Sequence, residues 1–264
     1  MAKRVHACFL AVTLAVNAWV PPARAGQPLE TETARTVRSG HLELEAGFEH
    51  QSSGDGTEGA VPLALAYGLT DRLELLIEPV PFTAIHDQGA RRVTGLGDVE
   101  MTLTSIALRE GSSRPAIALA AEAKLPTAES RRIGSGKADY TIYAIGSKRL
   151  GRWDAHLNAG YGIIGAPSGV PVNNVWVYAA AAELRANLRW TLVGEVFGST
   201  AALEGNESGS GTGESQVTPE IGGAETVGSL GARYRSGPHL TYTMGLSYDS
   251  SSAFLVHPGI TLAW

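Results

Sequence analysis

From residue 40 onward, apolar and polar residues alternate in about a dozen short segments, and the links between them alternate short and long. A period of two puts successive side chains on opposite faces of a strand. Near 40–50, Leu42, Leu44, Ala46 and Phe48 share one face, and Glu43, Glu45 and Glu49 the other. Near 60–68 the apolar set is Val61, Leu63, Leu65 and Tyr67. Near 72–81 Leu73, Leu75 and Ile77 oppose Arg72, Glu74 and Glu78. Segments near 97–109 and 115–125 carry Glu100, Thr102, Thr104 and then Glu122, Lys124 on their polar faces. Near 137–149 Tyr140 and Ile142 oppose Asp139, Thr141 and Tyr143. The pattern is clearest near 152–164. There Trp153, Ala155, Leu157, Ala159, Tyr161 and Ile163 alternate with Asp154, His156, Asn158, Gly160 and Gly162. Further segments lie near 174–186, 188–198, 219–235, 239–249 and 253–264.

The links sharpen the picture. Short ones follow the even segments: 69–71, 110–114, 150–151, Asn187 and 236–238. Longer ones follow the odd segments, at 51–59, 82–96, 126–136, 165–173 and 199–218; the last, containing Glu204 to Gly213, is flexible by composition. The pattern predicts an all-β fold, an antiparallel transmembrane β-barrel of about 12 strands, with 10 to 14 compatible. Its turns are short on the periplasmic side and its loops longer outside. An even count returns both ends of the wall to the periplasmic side. The rival is a soluble barrel or sandwich, since alternation alone does not distinguish inside from outside. No mature stretch approaches the ~20 apolar residues of a membrane helix.

The chain ends reinforce the membrane reading. Lys3, Arg4 and His6 form a basic start, Ala7 to Val20 is apolar apart from Thr13 and Asn17, and Ala23-Arg24-Ala25 suits cleavage. Residues 1–25 are therefore expected to be a cleaved signal peptide, 26–39 a periplasmic segment and 40–264 the barrel. Cleavage removes Cys8, the single cysteine, so the mature chain has no disulfide or cysteine-ligated metal. It also removes three basic residues and no acidic one, moving the formal charge of −5 further negative. An acidic chain without a basic tract is a poor nucleic-acid partner. Trp264, Leu262 and Ile260 share a face at the C-terminus, with Trp264 resembling the terminal assembly signal that barrel assembly machinery reads. The 32 glycines and the aromatic fraction of 7% fit a small barrel.

Three stretches resemble the family of bacterial outer-membrane proteins named for a MetA pathway of phenol degradation. They are Tyr67 to Leu75, with Gly68 and Asp71 at a tight turn; Gly95-Leu96-Gly97-Asp98 followed by Ala123-Lys124-Leu125-Pro126-Thr127; and His156-Leu157-Asn158-Ala159-Gly160-Tyr161. Ala128 stands where the family usually has glycine. The motifs read as structural: turn formers, glycines at sharp strand starts, and a proline ending a strand. The resemblance implies an outer-membrane channel for passive passage of small molecules, including small organic or aromatic ones, in a Gram-negative bacterium. Outer-membrane lipids and lipopolysaccharide would surround it.

A Lys or Arg on a lipid-facing position costs about 2–4 kcal/mol near the midplane, and a carboxylate less. Glu43, Glu45, Glu74, Glu78, Glu100, Glu122, Lys124, Asp154, His156, Asn158, Glu183, Arg185, Glu195, Arg233 and Arg235 are thus expected to line the lumen. Opposite charges there could pair and close the barrel as readily as line a path, so a plugged structural or adhesion barrel is the alternative. The other rival is a lipid-modifying enzyme, in which His156 and Asn158 with a nearby serine would imitate a hydrolase site. No G-x-S-x-G is present, and His41, His50, His86, His239 and His257 lack metal-site spacing, so neither cofactor nor metal is expected. Arg131-Arg132 is a candidate for lipopolysaccharide phosphates, although exposed basic pairs are ordinarily only solvated.

Overall fold

A computed structural model describes residues 26–202 and 224–264. Sixteen strands form one antiparallel sheet: β1 (Leu42–Gly47), β2 (Glu49–Ser52), β3 (Gly56–Val61), β4 (Leu63–Thr70), β5 (Leu73–Pro79), β6 (Phe82–Asp87), β7 (Val93–Gly95), β8 (Val99–Leu108), β9 (Ala116–Leu125), β10 (Asp139–Leu150), β11 (Trp153–Ile163), β12 (Val175–Arg185), β13 (Trp190–Ser199), β14 (Glu225–Arg235), β15 (Leu240–Asp249) and β16 (Phe254–Ala263). They make twelve staves, because each of the first four is split: β1/β2, β3/β4, β5/β6 and β7/β8. The splits fall at Phe48, Pro62, Val80–Pro81 and Leu96–Asp98. A proline brings no N–H to the ladder, which accounts for two of the four breaks. The sheet closes on itself where β1 pairs with β16, from Glu43 opposite Ala263 to Gly47 opposite Gly259. At that seam Leu42 N–H donates to Trp264 O at 3.2 Å and Trp264 N–H to Leu42 O at 2.9 Å.

Inside and outside are settled by exposure. On β11 Leu157 is 65% exposed, whereas His156 beside it is 2% exposed. The apolar face therefore points outward and the polar face into the barrel, the reverse of a soluble protein. Trp153, Trp190 and Trp264 lie outward at the short-turn end, and Trp176, Tyr248 and Phe254 outward toward the long-loop end, as two aromatic girdles.

Two expectations need correction. The links 51–59 and 82–96 are largely strand: β2 with β3, and β6 with β7, continue the first four staves as a small sheet. These pieces carry exposed His50, Ser52, Thr57 and His86 and no apolar alternation, because they stand beyond the lipid-facing band. The second correction concerns residues 26–39, expected in the periplasm. They run through the lumen as an extended plug. Leu29 packs on Ala181 and Val193, Ala34 on Ala116, Ala118, Ala120 and Ile145, and Val37 on Ala66 and Leu76. Burying these three apolar side chains, while the wall meets the backbone N–H groups, favours the lumen over water. Residues 1–25 and the loop from Glu204 to Gly213 lie outside the described residues, as do Glu220 and Gly222, expected in the tenth segment, whose strand begins at Glu225.

Candidate functional site: the plugged lumen

The plug makes a circuit of the inner wall, held at nearly every turn by a lumen side chain. Arg233 Nε donates to Gln27 O at 2.9 Å and Nη2 to Gly26 O at 2.5 Å, while Gln27 N–H donates to Glu45 at 3.0 Å. Glu195 accepts from the N–H groups of Glu30 and Thr31 and from the Thr31 hydroxyl, at 2.7–3.1 Å. Asn158, with its amide oriented to suit its neighbours, accepts from Glu32 N–H at 2.8 Å and donates to Glu32 O at 3.0 Å. Ala34 N–H donates to Ser147 Oγ at 2.8 Å. Arg35 forks onto both oxygens of Asp154 at 3.0 and 2.9 Å and reaches Glu110 at 2.8 Å. Val37 N–H donates to Glu74 at 2.6 Å. An extended segment off the sheet has no ladder of its own, so these wall groups supply its missing partners.

Close approach requires small residues in the wall. Pro28 lies against Gly231 and Gly245, where a Cβ would come within 2.5 and 2.6 Å of the proline ring. At the exit the chain crosses Gly68, and Gly40 N–H donates to Gly68 O at 2.8 Å. A Cβ on Gly68 would run into the Arg38 carbonyl.

Several of the remaining wall charges pair. Arg233 bonds Glu183 at 2.9 Å and Lys124 bonds Asp139 at 2.5 Å. The Tyr143 hydroxyl donates to Glu122 at 3.2 Å. His156 Nδ1 lies 2.8 Å from Ser147 Oγ, and its Nε2 lies 3.6 Å from Glu183 and 3.9 Å from Asp154. Asp154, His156, Asn158, Glu183, Glu195 and Arg233 are thus brought together around the plug. Arg185 departs from the expected lumen position. Its guanidinium turns to the rim and donates to Gly151 O at 2.5 Å. Arg235 is half-buried at the same rim, at the end of β14.

On either side of the plug lies a chamber. The one toward the long loops, about 350 Å³, is lined by Glu43, Glu45, Glu49, Glu58, Glu78 and Glu100 from the wall, by Glu30 and Glu32 from the plug, and by Asp98, with Lys124 as the single cation among the described lining residues. The wall takes Glu30 out of bulk water, and Glu49, Glu195, Glu100 and Glu32 repel its charge, so its pKa is pushed up to about 8. Its side chain meets open lumen, so the shell of carboxylates matters to this direction as well as enclosure. The chamber toward the short turns, about 400 Å³, is lined by Arg35, Arg38 and Arg109 with Asp71 and Glu110. Partial burial pushes the Glu110 carboxyl up, but bonds from Arg35, Arg149 N–H and Lys148 outweigh it and hold the group below the usual carboxylate range.

The three motifs noticed in the sequence meet this machinery. Gly68 seats the plug's exit and Asn158 grips its middle. Asp98 accepts from Ala128 N–H at 2.8 Å, and the Thr127 hydroxyl donates to Gly97 O at 3.2 Å, so the second motif's halves clasp one loop just after Pro126 ends β9. Gly95 lies in the same clasp, beside Glu129, and a Cβ on Gly160 would press on Tyr143. In that loop Arg132 pairs with Asp87 at 2.5 Å and donates to Arg91 O at 2.8 Å, so half of the Arg131-Arg132 pair is engaged within the chain.

The family described as Putative MetA-pathway of phenol degradation matches residues 25–224. The chain belongs to this family. No curated protein matches it. Among solved structures, this family barrel is similar to an outer membrane channel from Pseudomonas putida F1, with a TM-score of 0.67 and 14% identity over 89% of this chain and 100% of that one. It is also similar to the NanC porin (TM-score 0.57, 10% identity, 83% and 98% of the two chains) and to the KdgM porin in complex with disordered oligogalacturonate (0.53, 9%, 83% and 98%). At these identities the likeness shows the fold, a closed twelve-stave barrel of the outer-membrane kind.

Plug contacts by Thr31, Thr33, Arg35 and Ser147 escaped the sequence reading. A partial signal was present: Leu29, Thr31, Thr33 and Val37 keep a period of two against the wall, interrupted by Ala34.

Proposed function

We propose that this chain is an outer-membrane channel of a Gram-negative bacterium, passing small molecules without chemistry, and that its acidic chamber favours cationic and neutral solutes. The single observation that carries this is the composition of the long-loop chamber, where carboxylates outnumber cations among the described lining residues. Enclosure by a low-dielectric wall strengthens such a field and repels anions. The family's description names phenol degradation, which supports small aromatic compounds as solutes. Phenols of ordinary acidity, with a pKa near ~10, are neutral at physiological pH and escape that repulsion.

No hydrolysis is part of this reading. Ser147 and His156 are both buried, Thr33 contacts the serine hydroxyl, and the serine oxygen already accepts from Ala34 N–H. An enzyme needs that oxygen beside an open acyl site.

Single-channel recording of the refolded protein in planar bilayers tests the proposal. Discrete steps with a reversal potential on the cation-selective side are expected. Anion selectivity, or silence from protein shown to be inserted, overturns it.

A further inference from the structure

We propose that the turn-side rim over β11–β14 is a binding site for the headgroup of an anionic phospholipid of the periplasmic leaflet. The proposal rests on the reading of the barrel as membrane-inserted with its short turns at that leaflet.

The site begins with a repeated dipeptide. Arg152-Trp153 opens β11 and Arg189-Trp190 opens β13, both at the short-turn end. Two more arginines, Arg185 and Arg235, close β12 and β14 at the same level. Backbone contacts weld the four into one patch. Arg152 Nε donates to Arg185 O at 2.9 Å, and its Nη2 donates to Ala186 O. Arg185 Nη2 donates to Gly151 O at 2.5 Å, and Arg235 N–H donates to Arg189 O at 2.8 Å. Among the described residues none of the four makes an ion pair with a carboxylate, whereas the deeper Arg35, Arg149 and Arg233 all do. Four guanidinium groups gathered without a counter-charge repel one another, and an anion among them relieves this.

The surroundings identify the anion's source. Trp153 and Trp190 point outward, and Trp190 packs on Tyr234 with ring centroids 4.8 Å apart. Arg189 Nη1 donates to the Tyr234 hydroxyl at 3.2 Å, which brings its charge out to the lipid-facing side. Leu188 between the hairpin ends is 94% exposed. Outward of the patch the register runs Trp153 opposite Leu184 and Leu184 opposite Leu192, an apolar strip continuous with the arginines. A phosphate held by Arg152 and Arg189 therefore has its acyl chains laid along that strip. A soluble phosphate or an acidic protein would engage the arginines but not the lipid-facing strip that continues from them. Guanidinium groups take phosphate oxygens in pairs, and tryptophan sits at the headgroup level.

Quenching by brominated lipids tests this. Wild type and the Arg152→Gln/Arg189→Gln variant are refolded into phosphatidylcholine vesicles holding a minority of phosphatidylglycerol, and insertion is verified by the gel shift on heating. In wild type, brominated phosphatidylglycerol should quench tryptophan fluorescence beyond its share of the bilayer. Each arginine is worth about a fivefold change in partition, so the preference should fall by more than about tenfold in the variant, with Arg185 and Arg235 still in place. Equal quenching by the two lipids in inserted wild type overturns the proposal, as does a preference that survives undiminished in the variant. A preference abolished by inorganic phosphate at matched ionic strength reassigns the site to free phosphate. Absence of the gel shift instead overturns the membrane reading beneath it.

Discussion

Thr31 and Glu195, 164 residues apart in sequence, are joined twice: the Thr31 N–H reaches the carboxylate at 2.9 Å and the hydroxyl at 2.7 Å. Glu30 N–H shares the same carboxylate. Glu195→Ala leaves these donors without partners, and each buried unsatisfied group costs about 1–3 kcal/mol. The expected outcome is a loosened plug in an intact barrel. Trypsin should cut at Arg35 or Arg38 faster in the folded variant than in the folded wild type.

Plug docking should weaken as pH rises. Docked Glu30 has a pKa of about 8, raised from 4.5. Between those values the docked form holds a proton that the released form has lost, so docking loses stability with increasing pH until the docked group also ionises. Glu110 works in the opposite sense, but only in acid. Its depressed pKa keeps the Arg35 contact intact above the ordinary carboxylate range and loses it below. Trypsin cleavage of the plug should therefore quicken from pH 5 to pH 9 in wild type. Glu30→Gln should flatten that profile, and an unchanged profile would count against the assignment.

Glycine positions in the wall offer a way to expel the plug without touching its bonds. A Cβ on Gly245 would lie 2.6 Å from Pro28 Cβ and against His257. Gly245→Val should displace the segment near Pro28 and raise unitary conductance, with the seam and the heat-dependent gel shift preserved. Conductance equal to wild type would mean that the plug does not set the bore.

Lys124 is the one cation among the described residues lining the acidic chamber, bonded to Asp139 at 2.5 Å. Lys124→Gln should increase the ratio of cation to anion permeability, and Glu49→Gln should decrease it. Reversal potentials in a salt gradient read both. Matching shifts in the same direction would remove the chamber from the selectivity pathway.

The wall was legible because lipid enforces strict alternation. Leu157 beside His156 or Tyr242 beside Thr243 cannot exchange faces without placing a polar group in hydrocarbon. Beyond the lipid band that constraint lapses, and β2, β3, β6 and β7 carry no such mark. The lumen residues were legible as a set, because charge has nowhere else to go, but their partners were not. Glu195, Glu74 and Asn158 look alike as polar positions on strands. What sets their roles is a plug docking 37 to 165 residues away in sequence, a relation that no local pattern encodes. Arg185 and Arg235 share the inward phase of their neighbours, yet they end their strands, where a long side chain reaches back to the turns.

The seam also has a consequence for the order of events during assembly. Residues 26–39 run directly into β1, and β1 is one lip of the junction that Leu42 makes with Trp264. While the sheet is still an open ribbon, the tail can already lie on its concave side. Joining the two lips then encloses it, with no need to push a chain end through either mouth. The occupant of the lumen is synthesised before the strand that latches the container around it.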